Sequence, residues 1–257
     1  MRYWDIPKFI NEAARDHKRI MENGSDCAIL TMALQRLPTL SKFNLYQKWH
    51  YKFHRPHKFD PIINHIVDHV GLDTHKNCHE HHLVMCLQAI RLSQFSSNPV
   101  TELTIQGSPI EFKLHPGQII LLQGALAKIE SLTLDYSRCI FDCLVNNNIS
   151  MPVLKRLVLI SDDDMVHIDH LEIFCKMNGR HLEFLDFDFV LVFNEEINDR
   201  YCLPLAVLQR LHRIGKYCAL REVKFCNWFD DIPKLEALLL GNLAYEDIKS
   251  VFRQKKN

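Results

Sequence analysis

Glycine is scarce in this 257-residue chain, and the motifs that use glycine to bring the backbone close to a phosphate or a reacting carbonyl are absent. There are only eight glycines, and the sequence contains no G-x-G-x-x-G, no Walker loop and no G-x-S-x-G turn. These absences argue against a phosphate cradle and against the common nucleotide-dependent enzymes and hydrolases. We therefore expect a protein that is not an enzyme and that needs no cofactor.

An excess of one charge and a long apolar run are also missing. Lys plus Arg and Asp plus Glu number 31 each, so no overall charge attracts nucleic acid or an anionic membrane. No apolar run approaches the roughly 18 residues of a membrane span. The opening residues 1–5 lack the basic start and apolar core of a signal peptide. We expect a soluble intracellular protein, cytoplasmic or nuclear, with no membrane partner and no nucleic-acid partner.

Paired cysteine motifs are missing as well. The nine cysteines are an odd number, the chain has no C-x-x-C, and Cys139-x-x-x-Cys143 has no second pair at zinc-finger spacing. Several cysteines, such as Cys86 and Cys175, stand inside apolar helical or strand patterns. This distribution favours reduced, buried thiols and argues against a disulfide framework.

What the chain does have is one short apolar pattern that occurs six times. Each segment carries apolar residues at its first, fourth and sixth positions, which is the L-x-x-L-x-L core of a leucine-rich repeat. The segments begin at Leu40, Val100, Ile129, Leu154, Leu182 and Leu220, so the intervals between them are 60, 29, 25, 28 and 38 residues. Because residues 4 and 6 of a strand point to the same side, each segment buries one apolar pair and leaves the residues between them available to a partner.

Apolar residues at helical spacing lie upstream of most of these segments, within 29–37, 83–90, 119–126 and 205–211. This alternation predicts an α/β fold of the leucine-rich-repeat type. We expect a right-handed solenoid with parallel strands on the concave face and helices on the convex face. The predicted domain covers residues 1–257, with an insertion at 46–80 and a helical C-terminal cap at 230–257.

Strand positions 3, 5 and 7 are predicted to project from the concave face, where a curved solenoid contacts its partners. On the last three strands these positions combine an exposed aromatic ring with charges of both signs, a composition typical of protein interfaces. The residues predicted to bind a protein partner are Arg156, Phe184, Asp186, Lys224, Asp188 and Glu222. The alternative is a solvated face whose charges pair across strands, Asp186 with Lys224 for example.

The predicted insertion has an unusual composition, because nine of the fifteen histidines fall between residues 50 and 82. The alternative function is a zinc-binding protein that draws its ligands from this stretch, with His65, His69, Cys78, His79 and His82 as the candidates. The other interpretation is a polar, solvated loop. Aromatic residues alternate with basic residues or histidine over 48–55, which suits single-stranded nucleic acid. We prefer the interpretation that this segment packs its aromatic rings onto the solenoid.

The chain's layout resembles that of a known family. The features concerned are L-P-x-L-x-x-F-x-L at 37–45, the long loop after it, and the H-L-V-M-C-L-Q-A-I helix that leads into V-T-E-L-T-I. They are similar to the repeat region of fungal F-box and leucine-rich-repeat proteins. In that family an N-terminal F-box docks the protein on a cullin-type ubiquitin ligase, and the repeats recruit the substrate.

The resemblance concerns the repeat region, since no F-box motif is recognisable in residues 1–20. It implies a non-catalytic interaction scaffold that recognises substrates for a ubiquitin ligase. The partners it implies are a protein bound on the concave sheet and a cullin-ligase adaptor.

Overall fold

Helices and strands alternate along the chain. The computed structural model describes residues 12, 15–16, 18–20, 22–37, 40–46, 74–96, 99–107, 115–160, 167–188, 205–226, 232–242 and 244–247. Within these ranges the elements are α1 (Ser25–Arg36), β1 (Lys42–Tyr46), α2 (Thr74–Ser93), β2 (Glu102–Gln106), α3 (Pro116–Leu126), β3 (Ser131–Asp135), α4 (Arg138–Asn146), β4 (Arg156–Ile160), α5 (Ile168–Asn178), β5 (Phe184–Asp188), α6 (Leu205–Tyr217), β6 (Glu222–Cys226) and α7 (Ile232–Leu239). A 3-10 turn at Gly179–His181 links α5 to β5.

The six strands form one parallel sheet in chain order, β1 to β6. Every pair of strands has the same register, so the residues at the third repeat position form one row across the sheet. That row is Lys42, Glu102, Ser131, Arg156, Phe184 and Glu222. The prediction of an α/β fold with six parallel strands is confirmed. A doubly wound sheet requires a reversal of strand order, and the order of the described strands contains none.

The two faces of this sheet differ in burial. Side chains at repeat positions 4 and 6 form one continuous apolar core with the helices. The most deeply buried of them are Leu103, Ile105, Leu132, Leu134, Leu157, Leu159, Leu185 and Phe187. Neighbouring helices pack on the same side, as α1 does with α2 and α5 with α6. The predicted burial of one apolar pair per strand is therefore confirmed for β2 to β5.

A repeated pair of backbone hydrogen bonds joins the units where each strand begins. The carbonyl oxygen of Glu130 accepts the N–H groups of Lys155 and Arg156, at 2.8 and 2.9 Å. The same arrangement occurs at each of the remaining steps between neighbouring strands. The accepting carbonyls there belong to Ser41, Thr101, Lys155 and Glu183. The repeat in the sequence is thus also a repeat in the backbone.

Helix α2 begins earlier than the sequence pattern predicts. Residues 71–80 are predicted to form a loop, and this is wrong for 74–80, which already belong to α2. No glycine or proline stands between Thr74 and Ser93. Nothing in the sequence therefore stops the helix from including these polar residues.

Local chemistry explains the start of α3. Pro116 stands in the first turn of the helix, where its missing N–H costs nothing. The N–H of His115 donates to Oε1 of Gln118 at 2.8 Å, which completes a capping box.

Two amide side chains hold the connector between α4 and β4. Asn178 in α5 accepts the N–H of Met151 at 2.7 Å and donates to the carbonyl of Ile149 at 3.2 Å. Gln123 in α3 accepts the N–H of Ser150 at 2.9 Å and donates to its carbonyl at 2.7 Å. Because buried backbone groups need partners, Asn178 satisfies those of Met151 and Ile149, and the two amides together link the connector to α5 and α3.

Helices α6 and α7 approach each other closely at Gly215. A β-carbon on Gly215 would collide with the backbone carbonyl of Leu239 in α7. This is a position where the missing side chain of glycine permits the packing of α6 on α7. The helix predicted within the C-terminal cap is confirmed as α7, which contacts α6 and β6.

The described cysteine side chains are free thiols, and they are Cys27, Cys86, Cys139, Cys143, Cys175 and Cys218. Burial raises the pKa of the Cys86 thiol to about 12. The hydrogen bond with Cys218, together with burial, raises the pKa of Cys175 well above its ordinary value. Thiols that stay protonated are poor nucleophiles. The prediction of buried thiols is confirmed for Cys86, Cys143 and Cys175, whereas Cys218, which also stands in an apolar pattern, is only half-buried.

Candidate interaction surface on the open face of the sheet

The face of the sheet opposite the apolar core carries repeat positions 3, 5 and 7, and we call it the open face. Its residues are Lys42, Asn44, Tyr46, Glu102, Thr104, Gln106, Ser131, Thr133, Asp135, Arg156, Val158, Ile160, Phe184, Asp186, Asp188, Glu222, Lys224 and Cys226. Among the described side chains, all except Val158 and Phe184 are half-buried or exposed. The predicted alternation therefore places a chemically mixed surface on this side.

The predicted partner-binding residues lie together on β4, β5 and β6. Arg156, Phe184 and Glu222 stand side by side in one row of the sheet. In the next row Asp186 of β5 stands beside Lys224 of β6. For Asp188, at the end of β5, the structure describes the backbone alone.

Phe184 lies beneath two cations. The guanidinium carbon of Arg156 is 3.6 Å from the centroid of the Phe184 ring, and Nζ of Lys224 is 5.3 Å from it. Such cation–π contacts contribute about 0.5–1 kcal/mol at exposed sites. The expectation that Phe184 is exposed is wrong, because the residue is only 9% exposed. The flat guanidinium covers the ring, so the outermost group at this point of the open face is a cation.

The two cations differ in their ionic partners. Nζ of Lys224 is 3.2 Å from Oε1 of Glu222 on the same strand, and Asp186 stands opposite Lys224 on the neighbouring strand. Arg156 is exposed and forms no ion pair with any carboxylate that the structure describes. A guanidinium that stacks through its flat face keeps N–H donors at its edge. Arg156 therefore presents an oriented cation that has no ionic partner among the described residues.

A line of alternating charges, here called the charged rim, borders the sheet where the strands begin. Its members directly precede β3 to β6 and are Glu130, Lys155, Glu183 and Arg221. Nζ of Lys155 is 2.8 Å from Oε2 of Glu130, and Nη2 of Arg221 is 3.5 Å from Oε1 of Glu183. The hydrogen bond with Glu130 raises the pKa of Lys155. The charges of the rim therefore pair with one another.

Exposed apolar side chains lie at the opposite border, where the strands end. Tyr46, Tyr136 and Ile160 are 67%, 43% and 37% exposed. The N–H of Tyr136, directly after β3, donates to the carbonyl of Ile160 at 2.9 Å, so these two residues are neighbours. Tyr136 has a left-handed backbone with φ of 51°, a conformation that costs about 1–2 kcal/mol for a residue with a β-carbon.

Tyr136 is not among the residues predicted to bind a partner, because it follows the seventh repeat position. A signal was nevertheless present one unit earlier. Gly107 occupies the same position after β2 and also has a left-handed backbone, with φ of 75°. A glycine directly after one strand therefore marked a turn that Tyr136 makes at the next strand.

The half of the open face formed by β1 to β3 has a different character. Its central row consists of the uncharged polar residues Asn44, Thr104 and Thr133. Lys42 and Glu102 stand opposite each other on the neighbouring strands β1 and β2, with Nζ of Lys42 3.9 Å from Oε2 of Glu102. Their charges therefore largely cancel. This half offers neutral hydrogen-bonding groups, whereas the β4 to β6 half offers a stacked cation.

A second group of charged side chains joins α4 to α5 on the helical side. Asp142 accepts from Nε of Arg138 at 3.2 Å and lies 2.6 Å from Nδ1 of His170. Nη2 of Arg138 is 2.8 Å from Nε2 of His167. Because a guanidinium only donates, this nitrogen of His167 accepts. Each of the four side chains has a partner within the group, so the group acts as a tether between the two helices.

The zinc hypothesis concerns residues that the structure largely leaves undescribed. His65 and His69 lie outside the described residues, as does the aromatic and basic segment 48–55. Cys78 and His79 are described only by their backbone in α2. Within the described ranges, no group of three or more His, Cys, Asp or Glu residues is arranged to hold a metal ion. The histidine-rich site therefore stays a prediction.

Comparison of this chain with protein-family models, with curated proteins and with solved structures yields no match. Among the helices described for this chain, none combines the length and the apolar character that crossing a lipid bilayer requires.

Proposed function

We propose that this protein is a non-catalytic scaffold that binds a protein partner on the open face of its sheet. The observation that carries the proposal is the stacked Arg156, whose guanidinium is exposed, held at 3.6 Å over the Phe184 ring, and without a described carboxylate. Arginine and aromatic residues are the side chains from which interfaces draw most of their binding energy. A residue that is already ordered loses less entropy when a partner binds.

The proposal includes a right-handed solenoid of the leucine-rich-repeat type. Three observations support it. The strands pair in chain order, and every pair of neighbouring strands has the same register. At each pair, the carbonyl at the equivalent repeat position accepts two N–H groups of the next unit. Units that repeat in this way stack into extended, curved surfaces suited to protein partners. The open face would then be the concave side of the solenoid.

The resemblance to fungal F-box and leucine-rich-repeat proteins extends the proposal to a biological role. In this role the open face selects a substrate for a cullin-type ubiquitin ligase, and the chain also contacts a cullin adaptor. This step rests on analogy. Titration of the purified chain with a recombinant cullin adaptor tests it directly, and the absence of binding at tens of micromolar adaptor would remove the ligase role.

A blocking substitution tests whether the open face binds proteins. Thr133 stands at the centre of the face, and Thr133→Arg would place a long charged side chain there. Gln88→Arg makes the same addition at an exposed position of α2 and serves as the control. A displayed peptide library is first selected on the immobilised wild-type chain, and the selected peptides are then titrated against both variants.

We expect Thr133→Arg to weaken the selected peptides at least tenfold and Gln88→Arg to leave their affinity within about twofold. Thermal unfolding of both variants checks that the fold is retained. A library that yields no peptide, or only peptides that bind Thr133→Arg as tightly as wild type, would contradict the proposed function.

A further inference from the structure

We propose that the β4 strip of the open face, formed by Arg156, Val158, Ile160 and the adjoining Tyr136, recognises a protein segment that carries a carboxylate side chain at one end and an apolar side chain at the other. This inference rests on the proposed function and specifies its partner. The carboxylate binds Arg156, and the apolar side chain contacts Ile160 and Tyr136.

The position of Arg156 over the Phe184 ring indicates that the bound segment carries a carboxylate. Phe184 fixes the guanidinium through its flat face at 3.6 Å, so the N–H donors at the edge have a defined direction. Planar guanidinium and carboxylate groups match each other in a two-bond arrangement. The ion pairs of the charged rim and of Lys224 with Glu222 are already complete. Arg156 is therefore the cation in this half of the face that gains most from an incoming anion.

The charges near Arg156 favour a carboxylate over a phosphate group. Phe184 and Asp186 stand on the next strand, and Glu222 and Lys224 stand on the strand beyond it. Glu222 and Lys224 pair with each other, and Asp186 adds one acidic side chain in the next row. A phosphate carries about two negative charges at neutral pH and meets more repulsion there than a singly charged carboxylate.

The apolar end of the proposal follows from the carboxyl end of β4. Val158 is buried at the middle of the strip, and Ile160 and Tyr136 are exposed at its end. Strand geometry places the α-carbons of Arg156 and Ile160 about 13 Å apart, since each residue advances the chain by about 3.3 Å. A segment bound along β4 therefore needs its two recognised side chains at a matching separation, four residues apart when it is extended.

The peptides selected on the wild-type chain provide the test. We expect Asp or Glu to be enriched together with Leu, Ile, Val or an aromatic residue at that separation. For one such peptide, Arg156→Gln should raise the Kd about tenfold or more, because a charge-assisted hydrogen-bonded pair is lost. Arg156→Lys keeps the charge without the fork of donors and should have an intermediate effect. Arg36→Gln, at an exposed arginine in the last turn of α1, is the matched control and should change the Kd less than twofold.

Two further measurements decide between the remaining outcomes. Replacing the acidic residue of the peptide by its amide should weaken binding to wild type but not to Arg156→Gln, and its replacement by phosphoserine should not strengthen binding. Peptides that Thr133→Arg blocks but that bind Arg156→Gln as tightly as wild type would overturn this inference and leave the proposed function standing. Peptides unaffected by Thr133→Arg would overturn both.

Discussion

The two faces of strand β4 differ in burial and in chemical character, although the strand is only five residues long. On the core face, Leu157 and Leu159 are at most 2% exposed and belong to one apolar cluster. On the open face, Arg156 and Ile160 are exposed. The core face repeats one type of chemistry in all six strands, whereas the open face changes from strand to strand. Under the proposed function, stability and recognition belong to opposite sides of one sheet.

The largest test of this comparison uses two apolar residues of the same strand. Leu157→Ala should lower the free energy of unfolding by about 2–5 kcal/mol, because it leaves a cavity in the core. Ile160→Ala on the open face should cost less than about 1 kcal/mol, since its side chain already contacts water. Urea denaturation of both variants measures the difference. Equal losses would mean that the open face is covered by part of the core.

Helix packing behind the core face gives the next largest effect. Gly215→Ala should destabilise the protein by about 1–3 kcal/mol, because its β-carbon collides with the carbonyl of Leu239. Gly117→Ala in α3 has free space around the new β-carbon and should be neutral or slightly stabilising. The melting temperatures of the two variants separate packing from helix propensity. A stable Gly215→Ala protein would contradict the close approach of α6 and α7.

A buried polar link of the helical side should give an effect of similar size. Asn178→Ala removes the partners of one buried N–H and one carbonyl of the connector before β4, and should cost about 1–3 kcal/mol. Asn146→Ala, at an exposed position at the end of α4, is the control and should stay within about 0.5 kcal/mol. Hydrogen exchange at the amide of Met151 reports the link directly. Unchanged protection of that amide in Asn178→Ala would contradict a stabilising hydrogen bond between Asn178 and Met151.

The smallest effect should come from the charged rim. Glu183→Gln breaks an exposed ion pair with Arg221, so we expect a loss below about 1 kcal/mol. This loss should disappear in 1 M salt, where the Debye length falls to about 3 Å. Denaturation at low and high salt checks both statements. A loss above 2 kcal/mol that persists at high salt would show that Glu183 supports the fold by packing.

The strands and their register could be predicted from the sequence because a strand repeats its side-chain direction every two residues. Leu132, Leu157 and Leu185 mark the buried side of three strands without any knowledge of their neighbours. Helices α4 and α5 were not predicted, although their buried residues recur at helical spacing, as Leu171, Phe174 and Cys175 do in α5. Both helices are short, with 9 and 11 residues, so each repeats the helical period only once or twice. The contact between Phe141 and Phe174, whose ring centroids are 5.2 Å apart, joins two helices and could not be predicted from the spacing within either one.

The open face was predicted in its composition but not in its contacts. The row that joins Arg156, Phe184 and Glu222 follows from the repeat alone, as the register shows. The burial of Phe184 does not, because it depends on the side-chain conformation of Arg156 on the neighbouring strand. Likewise, the pair of Lys224 with Glu222 was not predicted, since strand geometry places both Glu222 and Asp186 near the lysine.

The constant register has a consequence for the gain or loss of whole repeats. One repeat, or module, is a strand together with the segment that leads to the next strand. The intervals between strand segments range from 25 to 60 residues, yet each strand meets its neighbour position for position. The variation in length therefore lies in the segments between the strands, and the register of the sheet is the same at every pair of strands. Removing 129–153 as a block would place Leu154 where Ile129 stood and offer the carbonyl of Thr101 to the N–H groups of Lys155 and Arg156. Gain or loss of a whole module is therefore a smaller perturbation to this sheet than a shift of any strand by a single residue, which would exchange its two faces.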